Sequence, residues 1–223
     1  MEGSSADFYE FSPSELLVLE KWFAGGKRRF IAQPHYHLDI DAKMAALKIS
    51  PSIVSLISFS GDQVLSQASG TIIETQQNYN FVMTSLYLVR PRRSASKSAK
   101  NRLAHNLKVV VRASDENSYV GKIHVYDFHY NILLIKFKSK SPFPCARLRN
   151  PENSFQLHPH SLKLKPGDPI VIVGKYFYCD CEFMAASGSF SMRDGLLDDY
   201  GCGELLSVTC RSPCGISPSF LRN

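Results

Sequence analysis

The chain has 223 residues, 44% of them hydrophobic and 21% charged, a balance that suits a folded globular protein and excludes wholesale disorder. Lys and Arg number 26 against 20 Asp and Glu, a net charge of +6. No apolar run approaches the ~20 residues that span a bilayer. The opening Met1-Glu2-Gly3-Ser4-Ser5-Ala6-Asp7 lacks the basic-then-apolar pattern of a secretory leader, so an intracellular protein of cytoplasm or nucleus, with no membrane association, is expected. The 6 cysteines are then read as free thiols. Cys179 and Cys181, with Cys202, Cys210 and Cys214, lack the Cys-x-x-Cys spacing of a zinc knuckle. Alternate residues of a strand also point to opposite faces, so no metal or other cofactor is expected.

Residues before about Ser12 are expected to fray. Ser12-Pro13-Ser14-Glu15 then reads as a helix start, with Ser12 as N-cap, Pro13 at the first helical position and Glu15 closing a capping box. Leu16, Leu19, Glu20 and Phe23 follow helical spacing, with Leu17 and Trp22 widening the apolar face. Gly25-Gly26 end a helix of about 13–24, and Lys27-Arg28-Arg29 follow at its negative pole. His35 and His37 flank Tyr36 on an extended segment. Two histidines alone make a poor metal site, and a solvated strand edge is the simpler reading. A second helical stretch, Asp41 to Lys48, leads to Pro51.

From there the period shortens to that of strands. Ile53–Ser58, Gln67–Ile73, Phe81–Thr84, Leu107–Val111, Val120–Tyr126 and Ile132–Phe137 are short, β-branched and separated by polar turns, the pattern of a barrel or sandwich. Ser141-Pro142-Phe143-Pro144 reads as a linker. The turn Lys165-Pro166-Gly167-Asp168-Pro169 then feeds Ile170–Gly174, and strands are expected in Phe183–Met192 and Leu205–Cys210. This divides the chain into an N-terminal extension (1–49), a first β lobe (50–140) and a second (141–223).

Three stretches carry a functional signal. Ala68-Ser69-Gly70-Thr71-Ile72-Ile73 precedes Phe81-Val82-Met83-Thr84-Ser85-Leu86-Tyr87. Asp127-Phe128-His129-Tyr130-Asn131 opens the apolar Ile132–Lys136, and Cys214-Gly215-Ile216-Ser217 lies near the end. Their order and spacing resemble the HtrA/Deg branch of the trypsin-like (PA clan) serine proteases. That branch has a small-Gly strand, a strand ending in Thr-Asn-Ala-His, an Asp at an apolar strand and a Gly-Asn-Ser-Gly-Gly-Pro nucleophile loop. Gly167-Asp168-Pro169 and the strand after it are similar to the family's second lobe. The resemblance runs from about Ser50 to Ser217 and is strongest to degenerate plant-type members without a PDZ module.

It implies a mainly β, trypsin-like double barrel behind an N-terminal helical extension. It also implies degenerate triad positions at Tyr87 (base), Asn131 (orienting carboxylate) and Ser217 (nucleophile), with Gly215 and Ile216 in the oxyanion loop. Six residues follow Ser217, too few for the strands that close the second barrel and wall the P1 pocket. An incomplete, less stable second lobe is therefore expected, as in a shortened gene product or splice form.

A serine hydroxyl attacks only when a base takes its proton. A phenol, titrating near pH ~10, is no such base at neutral pH. A neutral amide does not stabilise an imidazolium, and Asn in that role lowers turnover by roughly 10⁴ in the trypsin-type triad. Pro218 lacks an N–H and restricts Ser217 to extended conformations, at odds with an oxyanion turn. A displaced histidine, His124 or His129, is the remaining route to rescue, but on an extended segment His124 and Asp127 face opposite sides.

Between Thr75 and Ser114 there is no Asp or Glu, while Arg90, Arg92, Arg93, Lys97, Lys100, Arg102, Lys108 and Arg112 all fall there. Residues 90–102 lack apolar anchors and read as a solvated loop with a basic patch at Arg90, Arg92, Arg93, Lys97, Lys100 and Arg102. A localisation signal, an acidic partner or a nucleic acid are the functional alternatives; nucleic acid is disfavoured because no aromatics alternate with the charges. Taken together, the sequence points to an inactive protease homologue that binds an extended peptide between its lobes. An active serine endopeptidase is the alternative, and a nucleic-acid or acidic-partner binder the weaker one.

Overall fold

The β-branched runs from Ile53 onward form six antiparallel strands that close on themselves. They are β1 (Ile53–Ser60), β2 (Gln63–Gln76), β3 (Tyr79–Ser85), β4 (Leu107–Arg112), β5 (Ser118–Asp127) and β6 (Ile132–Lys138), in the barrel order β1-β2-β3-β6-β5-β4. The computed structural model describes residues 6–26, 38–91, 102–147, 165–175, 183–191 and 207–210. Helix α1 (Pro13–Gly26) and helix α2 (Ile40–Ile49) precede the barrel. Strands β7 (Pro169–Lys175), β8 (Phe183–Ser191) and β9 (Ser207–Cys210) follow it. The molecule is mainly β, as expected.

In β6 exposure alternates strictly, and Leu133, Ile135 and Phe137 point into the barrel. They meet Val54, Leu56, Ile72, Val82, Val109 and Val111 from the other strands. Register shifts at Ser58/Phe59, Ile72/Glu74 and Ile123/Val125 add the curvature that closure needs. Gly70, in the small-Gly motif, has a packing reason. A Cβ there would lie 2.4 Å from Val82 Cγ1 and 2.8 Å from Leu56 Cδ1, so the barrel interior has no room for one.

Strand β1 is buried on both faces because α1 covers its outside. Leu19 packs with Ile57, Phe59, Val64 and Val110, and Val18, Trp22, Tyr9 and Phe11 border that cluster. The Ser12–Glu15 capping box forms: Ser12 N–H donates to Glu15 at 2.9 Å, and Glu15 N–H to Ser12 Oγ at 3.3 Å. The buried face, however, runs through Glu15, Val18, Leu19 and Trp22. Leu16 and Leu17, expected on it, are exposed. The reason is electrostatic as well as apolar: Glu15 turns inward to accept from Lys108 Nζ on β4 and from Tyr9 Oη at 2.6 Å.

The expected fraying before Ser12 is corrected for residues 6–11. Tyr9 N–H donates to Ser118 O at 2.8 Å, Val120 N–H to Asp7 O at 2.9 Å and Asp7 N–H to Lys138 O at 3.3 Å. The segment fills the wedge between the start of β5 and the end of β6, and Phe8 stacks on Tyr119 at 5.3 Å. These pairings are non-local, so local sequence pattern does not reveal them.

After the barrel the chain stays strapped to it. Phe143 N–H donates to Asn80 Oδ1 at 3.2 Å, Ala146 N–H to Ile72 O at 2.8 Å, and the Phe143 ring packs on Phe137 and Tyr119. Among the described residues the second lobe is the three-stranded antiparallel sheet β7-β8-β9, so the second barrel is incomplete. Helix α2, N-capped by Asp39, turns Ala42 and Ala46 inward and lies against β7 and β8. The Ser69 hydroxyl ties β2 to β7, donating to Lys175 O and accepting from Lys175 N–H, both at 3.0 Å. Among the described residues no helix is long and apolar enough to cross a membrane.

Candidate active site

Strand β3 ends at Ser85, and a 3₁₀ turn, Leu86–Val89, follows. Leu86, Leu88 and Val89 are buried in the barrel, which leaves Tyr87 pointing outward at 39% exposure. Ser85 caps the turn: its Oγ accepts from Tyr87 N–H at 3.1 Å. Opposite it, the β5–β6 turn is shaped by Asp127, whose Oδ1 accepts from the backbone N–H groups of His129 (2.7 Å) and Tyr130 (2.9 Å). Asn131 closes that turn with φ of 55°, the left-handed region that Asn tolerates better than most residues.

Register then brings the two turns together, since Ser85 is the β3 partner of Ile132. Leu86 N–H donates to Asn131 O at 3.1 Å, and Asn131 Nδ2 donates to Ser85 Oγ at 2.9 Å. The Tyr87 backbone N–H and the Asn131 side-chain amide thus share one acceptor, the Ser85 hydroxyl. Ser217, Gly215, Ile216 and Pro218 lie outside the described residues.

No general base is evident around Tyr87 among the described residues. The register shift at Ile123/Val125 disrupts regular alternation around His124, whose ring packs edge-on against Phe81 at 5.1 Å. The His129 ring packs against Tyr130 at 4.8 Å. Neither ring meets a carboxylate among the described residues, and Asp127 is occupied by its own turn.

The basic patch divides. Arg102 is exposed, and Arg92, Arg93, Lys97 and Lys100 lie outside the described residues. Arg90 departs from the expectation of a solvated cation. Its guanidinium sits 5.0 Å from the Tyr87 ring centre and 5.5 Å from that of Phe128, and Nη2 donates to Phe128 O at 3.3 Å. Cation–π contacts of this kind contribute about 0.5–2 kcal/mol and hold Tyr87 against the β5–β6 turn. Sequence reasoning missed Ser85 and Phe128 and read Arg90 as part of the solvated basic patch. Ser85 was findable, because it stands where the family's Thr-Asn-Ala-His strand has its Asn. The Arg90 stack left no local signal.

Of the cysteines read against zinc, Cys179, Cys181, Cys202 and Cys214 lie outside the described residues, as do His35 and His37. Cys145 is exposed and free.

No family profile matches the chain. It is similar to the Arabidopsis thaliana protein named "Putative protease Do-like 14", with 29% identity over 189 residues, covering 80% of this chain and 39% of that protein. The chain therefore spans about two fifths of the length of the relative it matches. The closed six-stranded barrel and this similarity are consistent with a trypsin-like HtrA/Deg homologue.

Proposed function

We propose that this chain is a protease homologue without peptidase activity, and that it binds an extended polypeptide segment in the cleft between its lobes. The observation that carries the reading is the turn at the end of β3, where the Asn131 side-chain amide and the Tyr87 backbone N–H, not an imidazole and a carboxylate, meet at Ser85 Oγ. A phenol and an amide occupy the positions where the resemblance puts a base and its carboxylate. At neutral pH neither accepts a proton from a serine or stabilises an imidazolium. Among the described residues the edge strands of the second sheet, β7 and β9, offer backbone groups for strand pairing with a peptide, which needs no catalysis.

Fluorescently labelled β-casein, an unfolded polypeptide, tests both halves beside a Ser217→Ala variant. Rising anisotropy with intact casein on a gel is expected for both proteins alike. Fragments that depend on Ser217 would establish the alternative, a working serine endopeptidase. Intact casein without any anisotropy change would remove the binding half of the proposal.

A further inference from the structure

Helix α2 buries its small side chains and exposes its large ones. Ala42 and Ala46 turn inward, while Ile40, Met44 and Leu47 face solvent at 71%, 61% and 62% exposure. These are the three most exposed large apolar side chains among the described residues. Exposed apolar residues scattered singly are ordinary. These three instead stand at i, i+4 and i+7 and form one stripe along the helix. At ~100° per residue the stripe lies opposite Ala42 and Ala46. Its spacing is that of successive d, a and d positions in a helix–helix seam.

Charge selects the occupant. Asp41 and Lys48, both exposed, follow Ile40 and Leu47 and border the stripe on one flank. Neither forms an ion pair with a described residue of its own chain. Two copies of α2 laid antiparallel, with Met44 on the twofold axis, set Ile40 against Leu47 of the other copy. On the shared flank they set Asp41 against Lys48 of the other copy, and each contact occurs twice, as in an isologous interface. Lys43 borders the opposite flank and nears its own counterpart, but its long stem lets the ammonium stay in water. A parallel pair would set Lys43 against Lys48. An anionic membrane would attract both lysines but repel Asp41. We propose that α2 pairs with the α2 of a second copy of this chain, antiparallel about Met44. A seam of three apolar side chains per copy falls below the ~1,200 Å² of stable interfaces, so the pair is weak, with a dissociation constant on the order of 10–100 µM. The stripe is remote in sequence from Tyr87, Asn131 and Ser217, and its pairing does not depend on whether Ser217 is reactive.

The test is sedimentation velocity of the full chain from about 1 to 300 µM, a range that brackets the expected constant. A weight-average mass that rises from one chain toward two is expected. Met44→Glu, at a position too exposed to disturb the fold, puts a carboxylate at the centre of the seam and is expected to weaken the pair about 10-fold or more. Asp41→Lys and Lys48→Glu, each alone, turn both ion pairs into repulsions and are expected to weaken it about 3-fold or more. An equimolar mixture of these two variants restores opposite charges at both contacts and is expected to pair as the wild type does. Circular dichroism verifies that each variant is folded. A chain that stays single over the whole range, pairing indifferent to Met44→Glu, or a mixture that pairs no better than its components would each overturn the proposal. So would a single chain that binds phosphatidylserine vesicles and loses that binding in Met44→Glu.

Discussion

Replacing Glu15 by Gln keeps a capping-box side chain at the third helical position and removes the charge that α1 presents to β4. Glu15 is 13% exposed and Lys108 37%. Burial by itself raises the Glu15 pKa, but hydrogen bonds from Lys108, Tyr9 and Ser12 outweigh it and hold the carboxyl at about 2, against an ordinary 4.5. At about 1.4 kcal/mol per pH unit the full shift corresponds to roughly 3 kcal/mol. Solvent at the half-open Lys108 side screens the pair, so about 1–2 kcal/mol is the figure to expect. Because the folded-state pKa is depressed, this stability is present above pH 4.5 and is lost as pH falls through about 2. Lys108 shifts upward: its burial works against the charge, and the bonds to Glu15 and Tyr9 overcome it. Its share is therefore present at neutral pH and lost only at strongly alkaline pH. Urea unfolding of wild type and Glu15→Gln, followed by circular dichroism across acid to neutral pH, reads the difference directly. A gap of about 1–2 kcal/mol at pH 7 that closes toward pH 2 is expected. A gap that stays constant over that range, or is absent at pH 7, would refute the assignment of Glu15 as a paired, inward-facing charge.

Two further substitutions probe the barrel and its link to the second sheet. Gly70→Val forces a side chain against Val82 and Leu56 and is expected to lower stability by at least about 1–3 kcal/mol; an unchanged urea midpoint would contradict the tight packing at β2. Ser69→Ala removes both bonds to the Lys175 backbone. It is expected to cost about 1–2 kcal/mol and to speed amide hydrogen exchange in β7 while β6 stays protected. Equal protection in β7 before and after would show that the hydroxyl does not hold the two sheets together.

The strands were legible because their burial is periodic or doubly covered. Ile132–Lys138 alternates residue by residue, and the run beginning at Ile53 is buried on both faces because α1 seals its outer side. The capping signal at Ser12–Glu15 was equally local. What the sequence hid is non-local. The pairing of residues 7–9 with β5 depends on a gap in the barrel wall that no short window displays. Which stripe of α1 turns inward is settled by Lys108 and Phe59, about 90 and 45 residues away along the chain, so periodicity alone favoured the Leu16 side. At the site, motif order set Tyr87 beside Asn131, but gave no hint of the Ser85 hydroxyl that accepts from the Asn131 amide and the Tyr87 backbone N–H. The run Arg90-Pro91-Arg92-Arg93 reads as uniformly solvated, since charge pattern carries no hint that the Arg90 guanidinium lies between two rings.

A protease homologue without peptidase activity, as proposed for this chain, holds no activated serine. Labelling of the purified protein with a fluorophosphonate probe, beside Ser217→Ala and with folding verified by circular dichroism, tests it most directly. No label above that on a denatured sample is expected on either protein. Label that appears on the folded wild type and vanishes in Ser217→Ala would contradict it, and would mean that a base other than Tyr87 serves the site.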